Sequence, residues 1–209
     1  MATNLTRVAI SIILIWATAY ASCTKNCIDT KYSFEIGIKA YPNLDSININ
    51  DTLWFEINAP TTLKDKTTGN MIDYSSAGNL GTTLSFGEFI GGSISNPGGI
   101  AAVSSFGYKL ITGDEISTYL PEQVKAYNFI ETPGMYNFKL AIIAKKKGIF
   151  AISVGNAANV FRKDDKCTKA AFAIPLKETN NHIYFLQQNR PGYTPSGLEL
   201  TNMYRFKVK

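Results

Sequence analysis

The amino-acid sequence predicts an all-β protein, a sandwich of two antiparallel sheets. Three observations favour this fold class. Apolar and polar residues alternate with period two over several stretches, which is the pattern of a strand with one buried face. Turn-forming Asn, Asp, Gly and Pro residues separate these stretches. The 12 Phe, 11 Tyr and 2 Trp residues supply large apolar side chains for a core between the sheets.

The first alternating stretches lie in the N-terminal third of the chain. The apolar residues of the first stretch occupy every second position: Tyr32, Phe34, Ile36, Ile38 and Ala40. Residues 47–59 alternate in two runs, and Asn50 and Asp51 stand between the runs, where Asx residues favour a turn or bulge. We therefore expect one strand over 32–40 and two strands over 47–59.

Residues 136–154 predict a β-hairpin. Apolar residues alternate over 136–142 and again over 150–154. Between the two runs stand Lys145, Lys146, Lys147 and Gly148, and a polar corner that contains a glycine is typical of a solvent-exposed hairpin tip.

The C-terminal third predicts three more strands, within 167–177, 182–188 and 203–209. With weaker alternating segments in the middle of the chain, the total is eight or nine short strands and almost no helix. Short strands with turn-rich connections indicate an immunoglobulin-like sandwich in the broad sense. We expect it to form a single domain over residues 31–209.

The N-terminal segment has the pattern of a secretory signal peptide. Arg7 precedes an apolar stretch over residues 8–20, which is shorter than the about 20 residues that a membrane-spanning helix needs. Two cleavage sites compete. Ala19-Tyr20-Ala21 fits ordinary processing before Ser22, whereas Ala21-Ser22-Cys23 resembles a bacterial lipobox, in which Cys23 carries the lipid. We expect the second, with a signal peptide over 1–22 and a short tether over 23–30.

The number of cysteines supports lipidation. The chain has three, Cys23, Cys27 and Cys167, and cysteines of exported proteins tend to pair in oxidising compartments. If Cys23 carries the lipid, Cys27 and Cys167 remain as one predicted disulfide. If cleavage falls after Ala21 instead, one thiol is left over and the protein is secreted or periplasmic and soluble.

Composition argues against several classes of function. The formal net charge of +5 is small and its lysines and arginines are dispersed, so no nucleic-acid partner is predicted. His182 is the only histidine, which leaves too few ligands for a His-rich zinc site. No G-x-S-x-G motif supports a serine hydrolase. We therefore predict no catalytic residue, no metal site and no cofactor; a hydrolase is the least favoured alternative.

An oxygen-rich segment and two aromatic positions are the remaining candidates for binding. Residues 45–51 hold several Asx side chains that suit a turn better than a calcium site. Trp54 alternates with Leu53 and Phe55, so it points outward if those two face the core. There it could stack a sugar ring or lie under a loop. Arg190 and Tyr193 stand in a Pro- and Gly-rich loop, 187–197, that suits either recognition or a crossover between sheets.

The segments DKCTKAAF and NRPGYTP, together with the lipobox-like start, resemble uncharacterised exported lipoproteins of Bacteroidota with a β-sandwich body. The resemblance implies a lipid-anchored protein of the outer membrane or cell surface, and it implies no particular activity. The expected function is a non-catalytic interaction or structural subunit of the envelope that contacts the membrane through its N-terminal lipid. The alternative is a module that binds carbohydrate or another cell surface through Trp54, Arg190 or Tyr193.

Overall fold

The computed structural model describes residues 31–89 and 99–209. The predicted signal peptide, the tether, Cys23 and Cys27 lie outside these residues. Within them strands predominate and the helices are short, so the prediction of an all-β chain is confirmed. The described part of the chain contains no helix that is long and apolar enough to cross a membrane.

The strands are numbered in chain order. They are β1 (Tyr32–Glu35), β2 (Lys39–Tyr41), β3 (Ser46–Ile47), β4 (Thr52–Pro60), β5 (Thr62–Lys64), β6 (Met71–Asp73), β7 (Gly81–Glu88), β8 (Ile100–Ala101), β9 (Phe106–Thr112), β10 (Asp114–Ile116), β11 (Val124–Asn128), β12 (Ile130–Thr132), β13 (Met135–Ala144), β14 (Gly148–Val154), β15 (Ala157–Phe161), β16 (Lys169–Ala173) and β17 (Met203–Val208). Two short helices, α1 (Tyr184–Asn189) and α2 (Gly197–Thr201), lie between β16 and β17, and a 3-10 turn covers Val103–Ser105.

Two larger sheets organise these strands. The seven-stranded sheet has the spatial order β10–β11–β7–β14–β17–β3, with β8 beside the end of β7. In the five-stranded sheet, β12 and β9 pair in succession with one edge of β13, β4 pairs with the opposite edge, and β2 lies outside β4. Except for β3, which lies parallel to β17, the paired strands of both sheets are antiparallel. A three-stranded sheet, β1–β16–β15, and a two-stranded sheet, β5–β6, complete the described fold.

Aromatic side chains fill the space between the two larger sheets. The ring of Phe106 on β9 lies 4.9 Å from that of Phe150 on β14. The ring of Phe55 on β4 lies 6.4 Å from that of Tyr204 on β17. All four side chains are buried. Inward-facing residues of two sheets that pack in this way form the core of a sandwich, as the alternation predicted.

The first predicted strand is divided between two sheets. Residues 32–35 form β1, which pairs with β16, whereas residues 39–41 form β2, which pairs with β4. Between them the N–H groups of Ile36 and Ile38 donate to the carbonyl oxygens of Ala173 and Pro175. Because the side-chain period continues across the change of sheet, the apolar residues still face the core, and sequence alternation alone does not reveal the crossing.

The prediction of a hairpin over 136–154 is wrong in its pairing. Both strands exist, as β13 and β14, but β13 belongs to the five-stranded sheet and β14 to the seven-stranded sheet. The lysine corner is exposed, as expected, and it carries the chain from one sheet to the other. A corner of this kind joins the two layers of a sandwich, so the strands that flank it do not exchange hydrogen bonds.

The predicted strand over 182–188 is also wrong, because residues 184–189 form helix α1. Phe185 and Leu186 are both buried although they are neighbours, which a strand with one buried face does not allow. His182 has a positive φ of 45° just before the helix, and this conformation ends the extended path of the chain. The strands predicted within 167–177 and 203–209 are present as β16 and β17.

Candidate functional site

Trp54 is the third residue of β4, on the face of the five-stranded sheet that points away from the core. Its neighbours Leu53 and Phe55 are buried against the seven-stranded sheet, whereas Trp54 itself is half-buried. The register places it opposite Tyr41 of β2 on one side and Ala141 of β13 on the other. The alternation along β4 therefore gave the correct direction for the Trp54 side chain.

Four side chains form what we call the Trp54 cluster: Tyr41, Trp54, Glu56 and Lys139. The rings of Tyr41 and Trp54 are stacked, with centroids 6.4 Å apart and an interplanar angle of 18°. The Lys139 ammonium lies 5.3 Å from the Trp54 ring and 5.7 Å from the Tyr41 ring. A cation over an aromatic face is attracted by the ring quadrupole, so Lys139 contributes to holding both rings in place.

Glu56 joins the charged and aromatic parts of the cluster. Its carboxylate accepts a hydrogen bond from the Tyr41 hydroxyl and lies 3.4 Å from the Lys139 ammonium. Glu56 and Lys139 are directly opposite each other on β4 and β13, which is why their side chains meet. The result is a small surface that offers two ring faces beside one carboxylate and one ammonium.

The contacts within the Trp54 cluster shift two pKa values. Burial and the bond to Glu56 raise the pKa of Tyr41, so its hydroxyl stays protonated and donating at neutral pH. Hydrogen bonds to Tyr41 and Glu56 raise the pKa of Lys139, so its ammonium stays charged. Tyr41 thus stays neutral and Lys139 stays charged across the physiological range, which suits binding more than proton transfer.

Arg190 and Tyr193 lie elsewhere, beside the outer face of the seven-stranded sheet. Arg190 follows α1, and its guanidinium carbon lies 5.6 Å from the Phe89 ring and 5.9 Å from the Tyr193 ring. The residue is 4% exposed. We call Phe89, Arg190 and Tyr193 the Arg190 cluster. The structure therefore brings the two predicted loop residues together but places them on a different sheet from Trp54.

The Arg190 cluster is part of a second, smaller apolar core. Phe89, Ala151, Leu186 and Met203 are buried together, and Tyr193 packs against them. The Tyr193 hydroxyl donates to the Glu199 carboxylate at 2.9 Å, and Ser196 and Glu199 form a capping box at the start of α2. These contacts fix α1 and α2 on the seven-stranded sheet, and they favour a structural role for Arg190.

His182 and the oxygen-rich segment also make structural contacts. Nδ1 of the buried His182 lies 2.7 Å from the carbonyl oxygen of Arg205, and its ring packs on Tyr204. In the segment 45–51, the Asp51 carboxylate accepts a hydrogen bond from the Asn48 N–H at 2.7 Å, which closes the turn between β3 and β4. Residues 31–89 and 99–209 contain no group of three or more His, Cys, Asp or Glu side chains placed to hold a metal.

Cys167 lies half-buried in the turn before β16, where its N–H donates to Asp165 Oδ1 at 3.1 Å. Its predicted partner, Cys27, is outside the described residues, so the pairing stays a prediction. The lipidation of Cys23 stays a prediction for the same reason.

Comparison with known proteins gives little further information. The chain matches no family model and no curated protein. Among solved structures it is similar to the human F-spondin reeler domain (fragment 1), with 9% identity and a TM-score of 0.37. The match covers 88% of this chain and 100% of that one. So distant a likeness carries no functional argument.

Proposed function

We propose that this protein is a non-catalytic binding protein of the cell envelope that recognises a glycan through its Trp54 cluster. In this proposal an immunoglobulin-like sandwich follows a cleaved signal peptide, Cys23 carries the lipid anchor and Cys27 pairs with Cys167. The anchor and the disulfide rest on the sequence of the N-terminal segment. The glycan site rests on the geometry of the described residues.

The observation that carries the proposal is the stacked, half-exposed pair of Tyr41 and Trp54. Two nearly parallel rings on a flat sheet face offer the apolar surface on which the C–H face of a sugar ring packs. Glu56 and Lys139 border the rings and supply an acceptor and a donor for sugar hydroxyl groups. Rings buried in the core would not be accessible in this way.

The proposal is tested by affinity electrophoresis of the purified full chain against a panel of neutral and acidic polysaccharides. Trp54→Ala should abolish retardation by the glycans that retard the wild type, and Trp54→Phe should retain part of it because a ring remains. Tyr119→Ala is the matched control, since Tyr119 is a fully exposed aromatic residue outside the five-stranded sheet.

Circular dichroism melting curves accompany these measurements. Because Trp54 lies on the outer face, Trp54→Ala should leave the melting temperature close to that of the wild type. A wild type that binds no polysaccharide of the panel, or binding that survives Trp54→Ala, would contradict the proposal. An intact mass measured before and after reduction tests the acyl chain on Cys23 and the Cys27–Cys167 disulfide separately.

A further inference from the structure

We infer that the ligand of the Trp54 cluster is an acidic glycan, one that carries carboxylate or sulfate groups. The inference rests on the proposed glycan-binding function and adds the chemical class of the ligand. It comes from the lysines that surround the cluster on the same face of the sheet.

The first of these lysines is Lys109 on β9. Lys109 is opposite Ala141 on β13, and Ala141 is opposite Trp54 on β4, so the three residues lie in one row across the sheet. Because neighbouring strands are about 4.8 Å apart, the Cα atoms of Lys109 and Trp54 are separated by about 10 Å, two strand spacings. The residue between them has only a methyl group, so no bulky side chain separates the exposed lysine from the rings.

The second is Lys145, which reaches this face from the corner after β13. Its side chain crosses Gly107, the outward-facing residue between the inward-facing Phe106 and Tyr108 of β9. A Cβ atom added to Gly107 would lie only 2.9 Å from Lys145 Cε and 3.4 Å from its Nζ. Because Gly107 has no side chain, the end of the Lys145 side chain can lie against the sheet at this position.

The charges of this face do not balance. Lys139 is paired with Glu56, and Lys39 of β2 is paired with Glu178 at 2.6 Å. Among the described residues, Lys109 and Lys145 make no ion pair. Two unpaired ammonium groups therefore lie on the same sheet face as an aromatic surface that carries one carboxylate, already engaged by Lys139 and Tyr41. A ligand that stacks on Trp54 and extends toward β9 meets positive charge, which favours negative groups on the sugar.

The experiment compares the affinities of the full chain for pairs of glycans that share a backbone and differ in charge. Polygalacturonate is paired with its methyl ester, and dextran sulfate with dextran. The wild type should bind at least one charged member roughly tenfold more tightly than its neutral partner, and added salt should reduce the difference. The two pairs separate carboxylate from sulfate as the group recognised.

Variants link the preference to the lysines. Lys109→Ala combined with Lys145→Ala should lower affinity for the charged member by roughly tenfold and leave the neutral member unchanged. Lys64→Ala combined with Lys207→Ala is the matched control, because it removes the same charge from exposed lysines on other sheets. The control should bind like the wild type.

The possible results separate the two proposals. Equal binding of charged and neutral members, lost on Trp54→Ala, would overturn the acidic class and leave the glycan site standing. A charge preference unaffected by the Lys109 and Lys145 substitutions would also overturn the inference. Binding to no member of either pair would overturn the acidic class. If the polysaccharides of the electrophoresis panel also fail to bind, the glycan site itself is overturned.

Discussion

The Trp54 cluster and the Arg190 cluster each place a cation at nearly the same distances from two aromatic rings. Lys139 lies 5.3 and 5.7 Å from its two rings, and Arg190 lies 5.6 and 5.9 Å from its own. Their surroundings differ. The Lys139 side chain is 34% exposed on an open sheet face, whereas Arg190 is 4% exposed beside the helices that lie on the other sheet.

The difference shows that the covering layer decides what a cation and two rings can do. At the Trp54 cluster no other described helix or strand covers the half-exposed rings, so a ligand can reach them and the partly hydrated cation contributes little to stability. Where helices cover them, the same contacts are desolvated and contribute to holding the helices in place. We therefore expect substitutions in the Arg190 cluster to change stability and substitutions in the Trp54 cluster to change binding.

We call α1 and α2, which lie on the outer face of the seven-stranded sheet, the helical layer. The largest expected effect on stability concerns Arg205 of β17, whose side chain contacts this layer. Its side chain is fully buried, and it donates to the carbonyl oxygens of Glu199 at 3.1 Å and Asn181 at 3.4 Å. Arg205→Ala leaves both carbonyl groups without this donor and opens a cavity, so it should lower the free energy of unfolding by roughly 2–4 kcal/mol. Chemical denaturation with urea measures the change.

The control for Arg205 is Arg162→Ala. Arg162 pairs with Asp164 at the surface, with about a third of its side chain exposed, and a pair of this kind contributes at most about 1 kcal/mol. If both substitutions cost the same, the buried arginine does not hold the helical layer in the way described.

The next effect compares the two clusters directly. Arg190→Ala should lower the free energy of unfolding by roughly 2 kcal/mol, because it removes a desolvated cation that lies near two rings. Lys139→Ala should change stability little, since its side chain is about a third exposed and a surface pair such as Lys139–Glu56 contributes at most about 1 kcal/mol. The same denaturation experiment measures both, and glycan affinity should respond in the reverse order. Equal losses of stability would show that covering the cluster makes no energetic difference.

The smallest expected effect is a pH dependence of the free energy of unfolding that arises from Glu199 in the helical layer. Burial of the Glu199 carboxylate opposes its ionisation, but hydrogen bonds from Ser196 and Tyr193 outweigh this and hold its pKa below the ordinary value of 4.5. A lowered pKa in the folded state contributes stability above the unfolded pKa, and that stability is lost as the pH falls through the folded pKa. Glu199→Gln should therefore be less stable than the wild type at neutral pH.

The difference between the wild type and Glu199→Gln should shrink on acidification below about pH 4.5. Urea denaturation at a series of pH values measures it. Tyr193→Phe removes one of the donors to Glu199 and should reproduce part of the effect. A difference that stays constant down to the lowest pH would show that ionisation of Glu199 does not stabilise the fold.

The sequence predicted much of the fold because alternation reports directly which residues face a core. The positions of β4, β13, β14, β16 and β17 and the outward direction of Trp54 all follow from a period of two. The pairing of β13 and β14 was predicted wrongly, because alternation says nothing about which strand lies beside which. The same limit hid the change of sheet between β1 and β2.

Tyr41 and Lys139 were missed as members of the candidate site because alternation does not tell which strands are neighbours. The parity of each strand places both residues on the outer face, as it does Trp54. Their meeting depends on the register of β2 and β13 against β4, which joins residues far apart in the chain and leaves no local signal. Helix α1 was missed because its short apolar run has no period long enough to separate helix from strand.

The parallel pairing of β1 with β16 has a mechanical consequence. If the chain is tethered by a lipid at Cys23 and the proposed Cys27–Cys167 disulfide is reduced, tension on the protein enters the described fold at Lys31 and runs along β1. Four residue pairs, from Tyr32 with Ala170 to Glu35 with Ala173, join β1 to its neighbour. A pull along the strand axis loads their hydrogen bonds in shear, all at once, and does not open them one after another as in a zipper.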